Sequence, residues 1–410
     1  MKLSLFSQYR GLRKEIYILF FGRVVTNLGS MIWPMLTMIL SQKLGLSAAM
    51  ISYVMVGAGV IMIPANLLGG KIADRYSKKW VIVVCDCVSI FCYLICAAIP
   101  LNYVSILLML LAGICQSMEF PSYHALIAEL STTEDRDRAY SLQYLGGNLG
   151  LVLSPTISGL LFRDHLWLAF LLSGISIAVS TVLIALRVRD VHPEKDGSEA
   201  SVYQTAQENV PLREILRRNR VLWLYLIGSA LYMAAYEQYT FLLPLEMGRV
   251  HGESGAVIFG SVSSLNCIVV VIFTPIITRL LFRVREPGRM LCGQGLIAAG
   301  YLLFLLLMGH VPFYYFAMLL FTWGEICSTI AEGPYVSRRI PASHRGRISG
   351  LSSVLGFLIR SAVSLSIGRI YDDAGATPTW MFVLCVLAAA FLLILLLRRQ
   401  DRRAYPKLYR

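Results

Sequence analysis

Seven ionisable side chains lie inside long apolar runs of this chain: Arg23, Asp86, Glu119, Glu237, Glu325, Glu332 and Arg360. A charge at the centre of a bilayer costs on the order of 2.5–3.5 kcal/mol on insertion scales, so such residues face a cavity, find a partner or mark a pathway. Five acids share two arginines, which leaves at least three carboxyls to be protonated, hydrated or matched by a cation. Matching depth along the runs pairs Arg23 with Glu119, as an intramembrane pair, and Arg360 with Glu325. Glu237 is then left without an arginine. The chemistry on offer is the binding and release of protons or cations within a membrane. No phosphate loop ending in G-K-S/T and no H-E-x-x-H are present, so the expectation is a protein that is not an enzyme, has no cofactor and no metal, and draws on an ion gradient.

The elements that must position these residues follow from composition. Of 410 residues, 57% are hydrophobic and 15% charged, against ~25% charged in soluble domains. The apolar runs are as long as the ~20 residues that cross a bilayer as a helix. Twelve spans are expected, over residues 16–40, 51–68, 80–99, 104–127, 140–162, 166–186, 221–245, 256–281, 290–308, 313–336, 348–370 and 379–397. The fold class is an all-α membrane protein, and the first span is expected to be retained rather than cleaved.

The formal net charge of +13 is a topology signal. Apart from Arg23 and Arg360, Lys and Arg gather at the termini and in every second loop, and the other side holds only Lys43, Arg163, Arg249 and Arg369. The positive-inside bias places both termini in the cytoplasm of a multi-pass plasma-membrane protein, with no nucleic-acid role. All nine cysteines fall inside spans without metal-ligand spacing, as small apolar packing residues do.

The chain also repeats itself. At one constant offset Arg136 falls on Arg345, Arg138 on Arg347, Leu142 on Leu351, Gly147 on Gly356 and Gly159 on Gly368. Likewise Glu119-Phe120-Pro121 recurs as Glu332-Gly333-Pro334. The expected organisation is a six-helix half over 1–187, a cytoplasmic linker over 188–220 with a short amphipathic helix near 211–218, a second six-helix half over 221–398, and a basic tail over 399–410. Duplicated halves around a midplane site are an architecture for alternating access.

The loop after span two reads Gly70-Lys71-Ile72-Ala73-Asp74-Arg75-Tyr76-Ser77-Lys78-Lys79. It resembles the G-x-L-A-D-R-x-G-R-K signature of the major facilitator superfamily, with Ser77 at the second glycine position. The resemblance implies a conformational switch carried by Gly70, Asp74, Arg75, Lys78 and Lys79. Span five holds Gly150, Ser154-Pro155 and Ser158-Gly159, similar to the small-residue packing motif of the drug/proton antiporters in that superfamily. The R-x-x-Q-G stretch of span four is only half present, since Gln116 fits and the arginine does not. In that family spans one, four, seven and ten line a central cavity, which implies that Glu237 and Glu325, assisted by Arg360, bind protons or a cationic substrate. Asp86, on a span that the family places outside, is assigned a structural or water-contacting role, and Glu332 a place near the cytoplasmic end.

The resulting expectation is a monomeric, proton-coupled exporter of small amphipathic drug-like molecules, partnered only by its substrate, protons and the lipid bilayer. Two alternatives stand beside it: a proton symporter importing a nutrient, and a lipid flippase or non-transporting membrane sensor.

Overall fold

The computed structural model describes residues 9–131, 135–188, 220–307, 309–339 and 342–406. The linker with its expected amphipathic helix, apart from its ends, lies outside these residues. Among them the regular structure is helical. Ten stretches are individually long and apolar enough to cross a membrane. The two further expected spans, five and seven, are each divided between two shorter helices.

The helices are α1 (Lys14–Leu28), α2 (Ile32–Met38) with a π-helical turn at Ile39–Lys43, α3 (Ala48–Arg75), α4 (Lys78–Ala98), α5 (Tyr103–Leu130), α6 (Arg136–Leu151), α7 (Ser154–Leu161), α8 (Leu166–Arg187), α9 (Arg220–Tyr236), α10 (Gln238–His251), α11 (Ser254–Leu280), α12 (Glu286–Leu306), α13 (Val311–Arg339), α14 (Ala342–Ala374) and α15 (Ala376–Ala404). Local chemistry explains their ends. Asn102 caps α5 by accepting from the Val104 and Ser105 amides while Ser105 accepts from the Asn102 amide, a reciprocal arrangement that satisfies otherwise orphaned donors. Pro121 within α5 cannot donate to the Ser117 carbonyl, and Asn66 of α3 donates to that oxygen instead, at 3.0 Å.

The chain divides into two compact units. The first comprises Met1–Gly45, Gly57–Ser198 and Met247–Val271. In it α4 packs against α5 and α8, and α1 against α6 and α8, around Ile16, Leu19, Leu126, Ile127 and Ile184. The start of α11 belongs to this unit. A Cβ at Gly159 of α7 would lie 2.5 Å from the Ala256 carbonyl, and Thr156 and Ser264 bring their hydroxyls to 2.7 Å.

The second unit comprises Leu46–Val56, Glu199–Glu246 and Ile272–Arg410. Here α9 packs on α14 and α15, and α12 on α13 and α15, around Leu226, Ala331, Tyr335, Ile394 and Leu397. It takes in the start of α3, where Asp372 of α14 accepts from the Ala48 and Ala49 amides at 3.0 and 2.8 Å. A Cβ at Gly368 would lie 2.8 Å from the Ala48 carbonyl. Gly159 and Gly368 are equivalent positions of the repeat, and each admits the first turn of a helix from the other sequence half.

At the far end of α13 the second unit contains a buried ionic cluster. Arg339 donates to Asp401 at 2.6 Å and lies 3.4 Å from Glu286, while Arg338 also pairs with Glu286. Burial opposes the charge on Arg339, but hydrogen bonding to Asp401, with Tyr335 and Glu286 nearby, carries its pKa above the ordinary arginine value.

Candidate transport site

Span seven breaks at Glu237, between α9 and α10. A break leaves main-chain carbonyls without their helical donors, and inside a membrane these need other partners. Gln238 donates to the Ala234 carbonyl at 2.7 Å. Tyr301 of α12, wholly buried, donates towards the Ala235 and Tyr236 carbonyls at 2.8 and 3.0 Å. The interruption is therefore held by side chains of two helices, while the Glu237 amide still donates to the Met233 carbonyl at 3.0 Å and its carbonyl accepts from the Thr240 amide at 3.1 Å.

Glu237 meets Arg360 of α14, with Nη1 donating to Oε1 at 3.2 Å. Sequence depth had assigned Arg360 to Glu325. The structure instead gives it to Glu237, which faces α14. Neither partner is sealed within the protein, with side-chain exposures of 32% for Arg360 and 43% for Glu237. Glu325 of α13 lies within hydrogen-bonding reach of the Tyr236 hydroxyl. Around it, Tyr236 stacks on Phe321 with centroids 5.3 Å apart, and Tyr239 lies 5.0 Å from the same ring. Tyr236, Tyr239 and Phe321 thus pack as an aromatic cluster next to Glu325 and to the break that carries Glu237.

In the first unit, Arg23 lies over the Tyr123 ring, 5.5 Å from its centroid. Arg23 and Glu119 line one cavity, but the group that Glu119 meets most directly is Asp86. Asp86 does not face outward. It is buried, 7% exposed, because α4 packs between α5 and α8 and turns that face inward. Thr181 of α8 donates to Asp86 Oδ2 at 2.6 Å. Sequence depth paired arginine with acid and overlooked the acid pair, although Asp86 and Glu119 are both charges deep in apolar spans.

The remaining sequence-derived positions take varied places. Gly150 packs α6 on α1, where its Cβ would lie 2.5 Å from the Val24 carbonyl, and Gly159 packs α7 on α11. Pro155 sits in the first turn of α7, where its missing N–H costs nothing. Gly70 faces open space, and the neighbouring Gly69 is the residue whose Cβ would run into the Met118 carbonyl. Lys78 pairs with Glu129 at 2.7 Å. Lys79 lies over Trp80, 5.7 Å from the ring centroid, and Arg75 over Tyr76, at 5.9 Å. The Asp74 side chain lies outside what is described. Ser77 fills a glycine position of the signature without strain: at φ −59° it caps α4, accepting from the Trp80 amide.

Ten helical stretches of membrane length, with the further expected spans five and seven each divided between two shorter helices, define a polytopic membrane protein among the described residues. The family model for the Major Facilitator Superfamily matches residues 19–364. The chain belongs to that superfamily. It is 23% identical over 371 residues to a "Na(+), Li(+), K(+)/H(+) antiporter" of Planococcus maritimus, covering 82% of this chain and 84% of the relative. It is 24% identical to the "Uncharacterized MFS-type transporter YqjV" of Bacillus subtilis (strain 168), covering 91% and 89%. To the "Multidrug resistance protein MdtH" of Yersinia pestis (strain Pestoides F) it is 25% identical, covering 62% and 61%. Among solved structures, a POT family transporter in complex with a thioalcohol conjugated peptide superposes with a TM-score of 0.79 at 15% identity, covering 96% and 99%. The nucleoside transporter NupG gives 0.71 at 16% identity, covering 95% and 100%. At these identities the structural likeness speaks for the fold alone.

Proposed function

We propose that this transporter exports small amphipathic, drug-like molecules across the plasma membrane in exchange for protons, as a monomer with both termini in the cytoplasm. The observation that carries the reading is the second-unit site, where Glu237, at the break, lies beside Arg360 and Glu325 beside the Tyr236, Tyr239 and Phe321 rings. Glu325 and Glu237 accept protons in one conformation and yield them in another, while the aromatic faces hold the substrate's apolar body. The switch between conformations is assigned to the Gly70 to Lys79 loop. Similarity to a multidrug resistance protein supports an organic substrate.

A second reading, exchange of Na+, Li+ or K+ for protons, is supported by the antiporter relative that covers most of the chain. One assay separates the two. Everted vesicles containing the protein are given a proton gradient, then challenged with a panel of dyes and antibiotics or with each alkali cation. Dye accumulation that collapses with the gradient supports drug export. Gradient dissipation by alkali cations alone supports the second reading.

A further inference from the structure

The first unit encloses a polar cavity of about 210 Å³ within its own helix bundle, lined by Arg23 and Asn27 of α1, Asp86 of α4, and Gln116, Glu119 and Tyr123 of α5. Asp86 and Glu119 bring their carboxyl groups within hydrogen-bonding reach inside it. Glu119 Oε2 is sealed from solvent with no donor on it, while Trp33 and Tyr93, on the same lining, are within hydrogen-bonding reach of each other. A buried acceptor left open on a polar cavity calls for a donor, since an unmet buried polar group is costly. A cavity of this size has room for several waters.

Two carboxylates cannot hydrogen-bond to each other, because both are acceptors only; one of them must carry a proton. The charges around the pair say how many. Arg23 contributes the one full positive charge of the lining, and Asp86 and Glu119 are its acids. The other titratable side chains around the pair are Cys85 and Tyr93 of α4 and Cys115 and Tyr123 of α5, neutral in their ordinary forms. From α8 comes the Thr181 hydroxyl. One shared proton therefore makes the cavity neutral, and its loss leaves a single negative charge. A transporter changes shape most readily when its buried sites are neutral, because an uncompensated buried charge is costly.

We propose that Asp86 and Glu119 form a second proton-carrying site of this transporter, holding one shared proton in a hydrated cavity of the amino-terminal bundle, apart from the Glu237 and Glu325 site. The proposal rests on the transport reading for its role in coupling, but its test does not. The described membrane-length stretches also hold Asp372, Asp373 and Asp401, so an aspartic acid signal at neutral pH is assigned to Asp86 by its loss in Asp86→Asn. Infrared spectroscopy of the purified protein in liposomes, with ¹³C placed in aspartate carboxyls alone and then in glutamate carboxyls alone, reads the protonated-carboxyl region directly. The expected result is a component at neutral pH that moves with either label, disappears in both Asp86→Asn and Glu119→Gln, and persists in Glu237→Gln. Exchanging the pair, Asp86→Glu with Glu119→Asp, should restore it. A component that moves with neither or only one label overturns the shared proton, and the wild-type labels give this answer even where a variant fails to fold. Loss of dye transport with the infrared signal intact would fault the drug-export reading and leave the proton site standing.

Discussion

Arg360 donates to Glu237 at 3.2 Å, across to a carboxylate set at the interruption of a membrane helix. The pair brings the guanidinium to the acid of span seven while Glu325 faces tyrosine, so the two acids have different partners. Glu237→Gln and Glu325→Gln each mimic a permanently protonated group. In proteoliposomes with an imposed pH gradient, either change should reduce gradient-driven substrate movement to background. Counterflow without a gradient should persist, because a neutral carrier can still change conformation. Full gradient-driven activity in both variants would rule out this site as the coupling element.

The buried Arg339 and Asp401 pair makes a stability prediction. Removing one partner of a buried pair costs ~3–5 kcal/mol, whereas replacing both by apolar residues is often close to neutral. Asp401→Ala should lower the thermal midpoint of the purified protein clearly. Arg339→Met combined with Asp401→Leu should recover part of that loss, helped by the Arg338 and Glu286 pair that remains. Equal losses in the single and double variants would contradict this account.

Asp372 accepts from the first two amides of α3, Ala48 and Ala49, while Ser47 accepts from the third, Met50, at 3.2 Å. A lost helix cap costs ~0.5–2 kcal/mol. Since this cap comes from α14, Asp372→Ala should both destabilise the protein by that order and free the start of α3. Hydrogen exchange at residues 48–52 should accelerate in the variant, and unchanged protection would show that Ser47 suffices.

The approach of α7 to α11 can be read by cross-linking. Thr156→Cys with Ser264→Cys should oxidise readily to a disulfide, given hydroxyls 2.7 Å apart. Adding Gly260→Val, whose Cβ would collide with the Pro155 carbonyl, should suppress that bond and reduce transport. Rapid cross-linking in the triple variant would mean the contact tolerates separation.

For the loop signature, Asp74→Asn should slow transport and leave substrate affinity within a few-fold. Rates equal to wild type would remove Asp74 from the switching role.

Much of this architecture was legible in the residue order, for physical reasons. An apolar run of bilayer length has few options other than a helix, because a membrane offers its backbone no other donors and acceptors. Twelve runs, a basic side and a duplicated pattern therefore mark a two-fold repeated helical transporter, and Gly159 with Gly368 mark positions where helices approach. The tertiary structure decided what depends on rotation about a helix axis and on interruptions along it. Depth along a span does not say which way a side chain points, so Arg360 went to Glu237 and Asp86 turned inward to Glu119. The break at Glu237 is held by Gln238 and by Tyr301, the latter far away in the chain, and only packing brings that hydroxyl to the carbonyls that allow the helix to stop.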